Sequence, residues 1–306
     1  MKVYQTAADG FAVPVIGLGC MRIADMPGKE INALIHASMD CGVNFFDHAN
    51  IYGGGRCEEV FAANCDIPRG DIVIQTKCGI RTDDGPTYYD FDEDYILSCT
   101  EKSLKRLGTD YIDILLLHRP DALMAPEAVA AAFDKLHTAG KVRYFGVSNH
   151  TPYQMQRIEK AWGGKLLFNQ LQTSIMHTGM IDAGINMNTK FEGSVDRDGG
   201  ILDYCALTDV IVQAWSPFQY GFFEGVFLGN DKFPKLNEVI DSIAQAHDTT
   251  ATTIAAAWLL RHPARIQVIP GTTNANRLRE VADAADVTLT KKEWYAIYTA
   301  AGNRLP

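Results

Sequence analysis

Hydrophobic positions along the chain fall into two alternating rhythms. Short continuous apolar runs are each followed by a longer segment in which apolar residues recur every three or four positions, the helical period. "EINALIHASMDCG" is one such segment: Ile31, Leu34, Ile35 and Met39 share a helical face, and Gly42 reads as the C-cap. The same rhythm predicts helices over 57–65, 92–108, 125–141, 151–162, 200–207, 235–247, 250–262, 274–285 and 290–301. Pro126 and Pro152 fit first-turn positions, and Thr151 fits an N-cap. Between the helices lie eight strand candidates, beginning near Val13, Asn44, Ile72, Ile112, Arg143, Leu166, Val210 and Ile266. Most are apolar throughout, as expected for parallel strands covered on both faces.

Eight βα units in 306 residues match the size of a (β/α)8 TIM barrel. Asp9-Gly10, a turn dipeptide between two short apolar stretches, adds an N-terminal β-hairpin. A doubly wound Rossmann sheet needs a GxGxxG turn opening a helix, and "GLGCMR" at 17–22 lacks the third glycine. No linker-like composition divides the chain, so one barrel domain over 1–306 is expected. Two long loops, Met176 to Gly200 and Ser216 to Pro234, follow strands and therefore belong to the C-terminal face, where barrels keep their chemistry. Tyr220, Phe222, Phe223 and Phe227 suggest an apolar wall there, or equally packing against the barrel or a partner subunit.

The net charge of −9 argues against a nucleic-acid or anionic-membrane partner. No apolar run approaches the ~20 residues of a membrane helix. Seven cysteines without a CxxC pair suggest reduced thiols in a cytoplasmic protein, and neither a disulfide framework nor a zinc site.

A barrel directs attention to strand C-termini. The second strand ends at Asp47, with Tyr52 in the following loop; the third ends at Lys77; the fourth ends at His118. Each passes from apolar residues to one polar group. Together they make a proton-transfer set. A tyrosine of ordinary pKa, about 10, is a poor acid near neutrality, and a neighbouring ammonium lowers that value. A carboxylate holds the ammonium, and a neutral histidine can orient a carbonyl. Gly53 to Gly55 lack the Gly-Lys-Ser/Thr of a phosphate loop, and no histidine pair has metal-ligand spacing. Strand alternation turns His48 and Cys78 away from the barrel interior.

The chain resembles the aldo/keto reductases, from "GLGCMR" through "FFDHANIYGGG", "IQTKCG", "LLLHRPD" and "GVSN" to "IPGTTNANRLRE". The resemblance implies an Asp–Tyr–Lys–His tetrad at Asp47, Tyr52, Lys77 and His118. It implies reduction of an aldehyde or ketone by hydride transfer, with NADP(H) preferred and NAD(H) open as a second cofactor. Gly19, Cys20, Met21 and Asp47 would lie at the cofactor. Ser148, Asn149 and Gln170 would bind the carboxamide, and Trp215 would stack on the nicotinamide ring. Ser216 and Phe218 would follow the pyrophosphate. Thr272 and Arg277 would take the 2′-phosphate, and Glu280 the adenine. Two positions depart from the family pattern: Gly271 replaces a lysine and Val281 an asparagine. Two rivals share the fold: a non-catalytic NADP-binding, redox-sensing regulatory subunit, and a metal-dependent hydrolase or isomerase. Neither the substrate nor the oligomeric state is legible.

Overall fold

The computed structural model describes residues 1–8, 10–82 and 85–306. The chain opens with an antiparallel pair, β1 (Val3–Gln5) and β2 (Ala12–Pro14). The turn expected at Asp9-Gly10 falls between them; Asp9 lies outside the described residues, and Gly10 has a φ of +74°. Then follow β3 (Leu18–Gly19), α1 (Gly28–Asp40), β4 (Phe45–Asp47), α2 (Arg56–Asn64) and β5 (Val73–Cys78). A small antiparallel pair, β6 (Ile80–Arg81) and β7 (Tyr88–Tyr89), interrupts the alternation. It resumes with α3 (Glu93–Leu107), β8 (Ile112–Leu117), α4 (Pro126–Thr138), β9 (Val142–Ser148), α5 (Pro152–Trp162) and β10 (Phe168–Gln172). The remaining elements are α6 (Gly179–Ile185), α7 (Ile201–Leu207), β11 (Ile211–Trp215), α8 (Pro234–Ala246), α9 (Ala251–Leu260), β12 (Ile266–Ile269), α10 (Ala275–Asp283) and α11 (Lys291–Ala300).

β3, β4, β5, β8, β9, β10, β11 and β12 pair in that order, every pair parallel. The ends of the sheet meet. Gly17 N donates to Val268 O at 2.9 Å, and Val268 N donates to Val15 O at 3.0 Å. The result is a (β/α)8 barrel.

The first barrel strand begins later than the expected Val13. The apolar run from Ala12 to Gly19 serves two sheets: Ala12–Pro14 pairs with β1, and only the following residues enter the barrel. Both halves are apolar because Val13 packs into the barrel floor, while Leu18 packs toward the helices. Continuous hydrophobicity hides the change of partner.

The interior follows the two-residue period of a strand. Val13, Phe45, Ile114, Leu116, Leu167, Phe168, Ile211 and Ile269 form an apolar floor. Above it lies a glutamine layer. Gln213 Nε2 donates to Gln75 Oε1 (3.0 Å) and Gln267 Oε1 (2.8 Å), and Gln170 Nε2 donates to Gln213 Oε1 (3.2 Å). Phe45 and Asp47, Gln75 and Lys77, Ile211, Gln213 and Trp215 show the same progression on single strands, from floor to C-terminal rim. Residues of opposite parity, such as Phe46, Ile74, Cys78 and Leu117, join the larger core beneath the helices. Thr151 caps α5 as expected, in a capping box with Gln154.

Candidate active site

Asp47 ends β4, and Lys77 lies one residue before the end of β5. Lys77 is fully buried. Its Nζ donates to Asp47 Oδ1 (2.7 Å), Asp47 Oδ2 (2.8 Å), His48 O (2.8 Å) and Tyr52 Oη (3.2 Å). Asp47 Oδ1 also accepts from Gln75 Nε2 (2.6 Å) and Gln170 Nε2 (3.1 Å). The glutamine layer thus supports the carboxylate from below. Burial opposes the Lys77 charge, yet Asp47 and Tyr52 outweigh it and raise the ammonium pKa above its usual value.

Tyr52 reaches the site through an unusual turn. Gly53, Gly54 and Gly55 have φ of 57°, 66° and 98°, in the left-handed region that costs glycine little. The chain therefore doubles back between β4 and α2. Gly55 is further constrained: a Cβ there would lie 2.5 Å from the Arg106 guanidinium. Arg106 ties the loop down by donating to Asn50 O (3.2 Å) and Glu58 Oε2 (3.0 Å).

The expected lowering of the Tyr52 pKa does not hold in this cavity. Lys77 pulls the value down, but desolvation of the phenol is larger and leaves it raised. His118, just beyond β8, meets the Tyr52 ring edge-on, with centroids 6.0 Å apart. Burial, then the charges of Lys77 and Arg119, push its pKa well below the usual value, so the imidazole is neutral. Its Nδ1 is buried without a partner among the described residues.

Asp47, Tyr52 and His118 line a cavity of about 460 Å³ with Gly19, Met21, Ser148, Asn149, Gln170 and Trp215. Asn149 Nδ2 donates to Ser148 Oγ (2.7 Å), and Trp215 Nε1 donates to Asn149 Oδ1 (3.2 Å). Ser148 Oγ in turn donates to Gln170 O (2.9 Å). These polar groups are fixed by one another at the rim. A second cavity, of about 540 Å³, is lined by Ser216, Phe218, Thr272 and Arg277. Arg22, Ser216 and Gly271 line both, joining them into one cleft. Asn274 caps α10 by accepting from Arg277 N at 3.0 Å, which puts a helix N-terminus beside that second cavity.

Not every expected residue reaches the cleft. Cys20 is buried, and its thiol donates to Leu18 O at 3.6 Å. Glu280 lines neither cavity; its carbonyl accepts from Thr253. Of the four loop aromatics, Phe222 and Phe223 line the cavity around Trp215. Phe227 is fully buried in the core, and Tyr220 packs on Phe233 at 4.9 Å. The 176–200 loop does not line the cavity. It folds into α6, and Asp182 accepts from Tyr298 of α11 at 2.7 Å. His48 and Cys78 point into the helix layer, where His48 packs on Phe61 at 4.7 Å.

Sequence reasoning missed Arg22. Its Nη1 donates to Gly271 O at 3.0 Å, and a Cβ on Gly271 would come within 2.6 Å of it. The signal was the absent lysine at 271, which leaves room for a cation from the opposite side of the cleft.

The chain matches the model of the aldo/keto reductase family, a class of oxidoreductase, over residues 15–301. The chain belongs to that family. It is 34% identical over 307 residues to a 6-dehydroglucose reductase of Agrobacterium fabrum, covering 96% of each chain. It is 28% identical over 321 residues to a Schizosaccharomyces pombe aldo-keto reductase named with NADP(+), covering 95% of this chain and 89% of that one. A crystal structure of a thermostable aldo-keto reductase with the inhibitor epalrestat superposes with a TM-score of 0.79 at 25% identity, covering 98% of this chain and 100% of that one.

Proposed function

We propose that this protein reduces an aldehyde or ketone to an alcohol with NADPH, using Tyr52 as the proton donor. The observation that carries this reading is the continuous set Asp47–Lys77–Tyr52, with His118 edge-on to the phenol, on the wall of a rim cavity.

The cleft suits a nicotinamide dinucleotide. Ser148, Asn149 and Gln170 supply hydroxyl and amide groups that both donate and accept, as a carboxamide requires. Trp215 offers a ring face, and Ser216 and Phe218 line the passage to Thr272 and Arg277. Two cations, Arg22 and Arg277, stand along that passage and favour NADP(H) over NAD(H). The NADP(+) in the name of the yeast relative supports the same choice. Gly19 and Met21 complete the wall near Asp47. Cys20 stands behind this wall, its backbone N donating to Asp47 O at 2.8 Å, and Glu280 remains the residue assigned to adenine.

When bound, the reduced cofactor supplies a hydride to the carbonyl carbon. Neutral His118 holds the carbonyl oxygen by hydrogen bonding. Tyr52 gives its proton to that oxygen as negative charge develops there. An alkoxide is far more basic than a phenolate, so the transfer runs downhill even from a phenol of raised pKa. Lys77 stabilises the phenolate left behind, and Asp47 keeps Lys77 charged and in place. Phe222 and Phe223 supply an apolar wall of the cavity beside Trp215.

A single domain and a cytoplasmic location complete the reading, supported by the family match from 15 to 301 and by seven free thiols. No described helix is long and apolar enough to cross a membrane. The test is an oxidation assay of NADPH against NADH with a panel of aldehydes, ketones and quinones. Turnover with NADPH supports the reading. NADPH binding without oxidation by any carbonyl favours the regulatory-subunit alternative.

A further inference from the structure

Neutral His118 is followed at once by a cation, Arg119, which none of the steps above uses. Arg119 is half-buried and lines the same cavity as Tyr52 and His118. Its guanidinium lies 5.6 Å from the centre of the Trp215 ring. Among the described residues it has no hydrogen-bond acceptor and no carboxylate partner. The other well-covered arginines behave differently: Arg69 and Arg106, each 22% exposed, hold the carboxylates of Asp113 and Glu58.

A guanidinium carries five donors and stays charged under all ordinary conditions. Removing it from water without an acceptor is costly, and burial is already the dominant pull on Arg119, lowering its pKa. The cavity around it offers little else polar on the substrate side: Met21, Ile51, Ile80, Phe222 and Phe223 form apolar walls. The cofactor's phosphates do not account for it either. Thr272 and Arg277 line the other cavity, and Arg119 does not. A forked, half-buried guanidinium without an acceptor among the described residues, facing a cavity with apolar walls, is suited to an oxyanion.

We propose that the substrate is a carbonyl compound carrying an oxyanion, a carboxylate or a phosphate ester, a few bonds from the reacting carbon, and that Arg119 binds that group. This rests on the reductase reading of the cleft. His118 orients the carbonyl while Arg119, the next residue, anchors the anion. The anchor fixes which end of the substrate enters first.

Matched pairs test it. Succinic semialdehyde is compared with butanal, and glyceraldehyde 3-phosphate with glyceraldehyde, each with NADPH. The anionic member of at least one pair is expected to show about tenfold or greater kcat/KM, chiefly through KM, the scale of one charge-assisted contact. The pair with the larger ratio identifies carboxylate or phosphate as the ligand. Arg119→Met should collapse the ratio, and Arg119→Lys should recover part of it. Equal kcat/KM within both pairs, or an unchanged ratio in Arg119→Met, overturns the proposal. So does a loss that strikes both members alike and weakens NADPH binding, since that marks a mere prop for Trp215. A non-reacting pair separates this from the reductase reading: calorimetry of wild-type protein, with and without NADPH, against succinate and succinamide. Preference for succinate supports the anion site even if no carbonyl is turned over; equal binding overturns it.

Discussion

Lys77 Nζ stands between Asp47, at 2.7 and 2.8 Å, and the Tyr52 hydroxyl, at 3.2 Å, with its side chain 0% exposed. A lone buried carboxylate is far costlier than the pair. Lys77→Met should therefore destabilise the protein by ~3–5 kcal/mol, the range for breaking a buried pair from one side. Adding Asp47→Asn should regain part of that loss. Unfolding midpoints of the two variants check both statements.

The same geometry sets a pH dependence. Tyr52 has its pKa raised, by burial first, against the pull of Lys77. The phenol is therefore protonated at and below neutrality, and carbonyl reduction should stay level there. The alkaline fall should lie above the ordinary tyrosine value of about 10. In Lys77→Met the lowering influence is gone, so the limb should move to still higher pH. Profiles of kcat/KM for reduction measure this; a limb between pH 6 and 8 assigned to Tyr52 would contradict it.

The barrel and its rim were legible because strand-end polarity survives in a single sequence. "FFD", "IQTK" and "LLLH" each run from core to chemistry. What stayed hidden depends on partners distant in sequence. Val13 reads like a barrel strand because hairpin and barrel share one apolar floor. Phe227 resembles Phe222 in sequence, and only the fold of the 216–234 loop sends one to the core and the other to the cavity. The 176–200 loop was assigned to the pocket by its length, whereas its contacts with α11 hold it elsewhere. Arg22 meets Gly271 across 249 positions, a pairing no local pattern signals.

Arg22 and Gly271 yield a prediction of their own. If Arg22 grips a cofactor phosphate, Arg22→Ala should weaken NADPH binding by ~10-fold, the scale of one charged hydrogen bond. Gly271→Lys in that background should restore most of it, because the vacated space accepts a lysine. Fluorescence titration with NADPH and NADH reads the effect; equal affinities in wild type and Arg22→Ala would remove Arg22 from the cofactor site.

His48 and His150 place an acid limit on stability. Burial lowers their pKa values from 6.5 to about 3 and about 4. Between those values and 6.5 the unfolded chain binds protons that the folded chain does not, so stability falls as pH drops through that window. Each site costs ~2 kcal/mol by pH 5. Among the described residues neither ring nitrogen of His48 has a partner, and the ring packs on Phe61, so His48→Phe should flatten the loss and raise the unfolding midpoint at pH 5 more than at pH 8.

The central claim is that Tyr52 gives the proton in an NADPH-driven reduction. Tyr52→Phe keeps the ring, the turn and the Asp47–Lys77 pair, and removes only the hydroxyl. Single-turnover oxidation of bound NADPH by an accepted aldehyde should slow by at least ~10²-fold in this variant, the usual scale for losing a general acid, with NADPH affinity nearly unchanged. A rate close to that of the wild type would contradict the account.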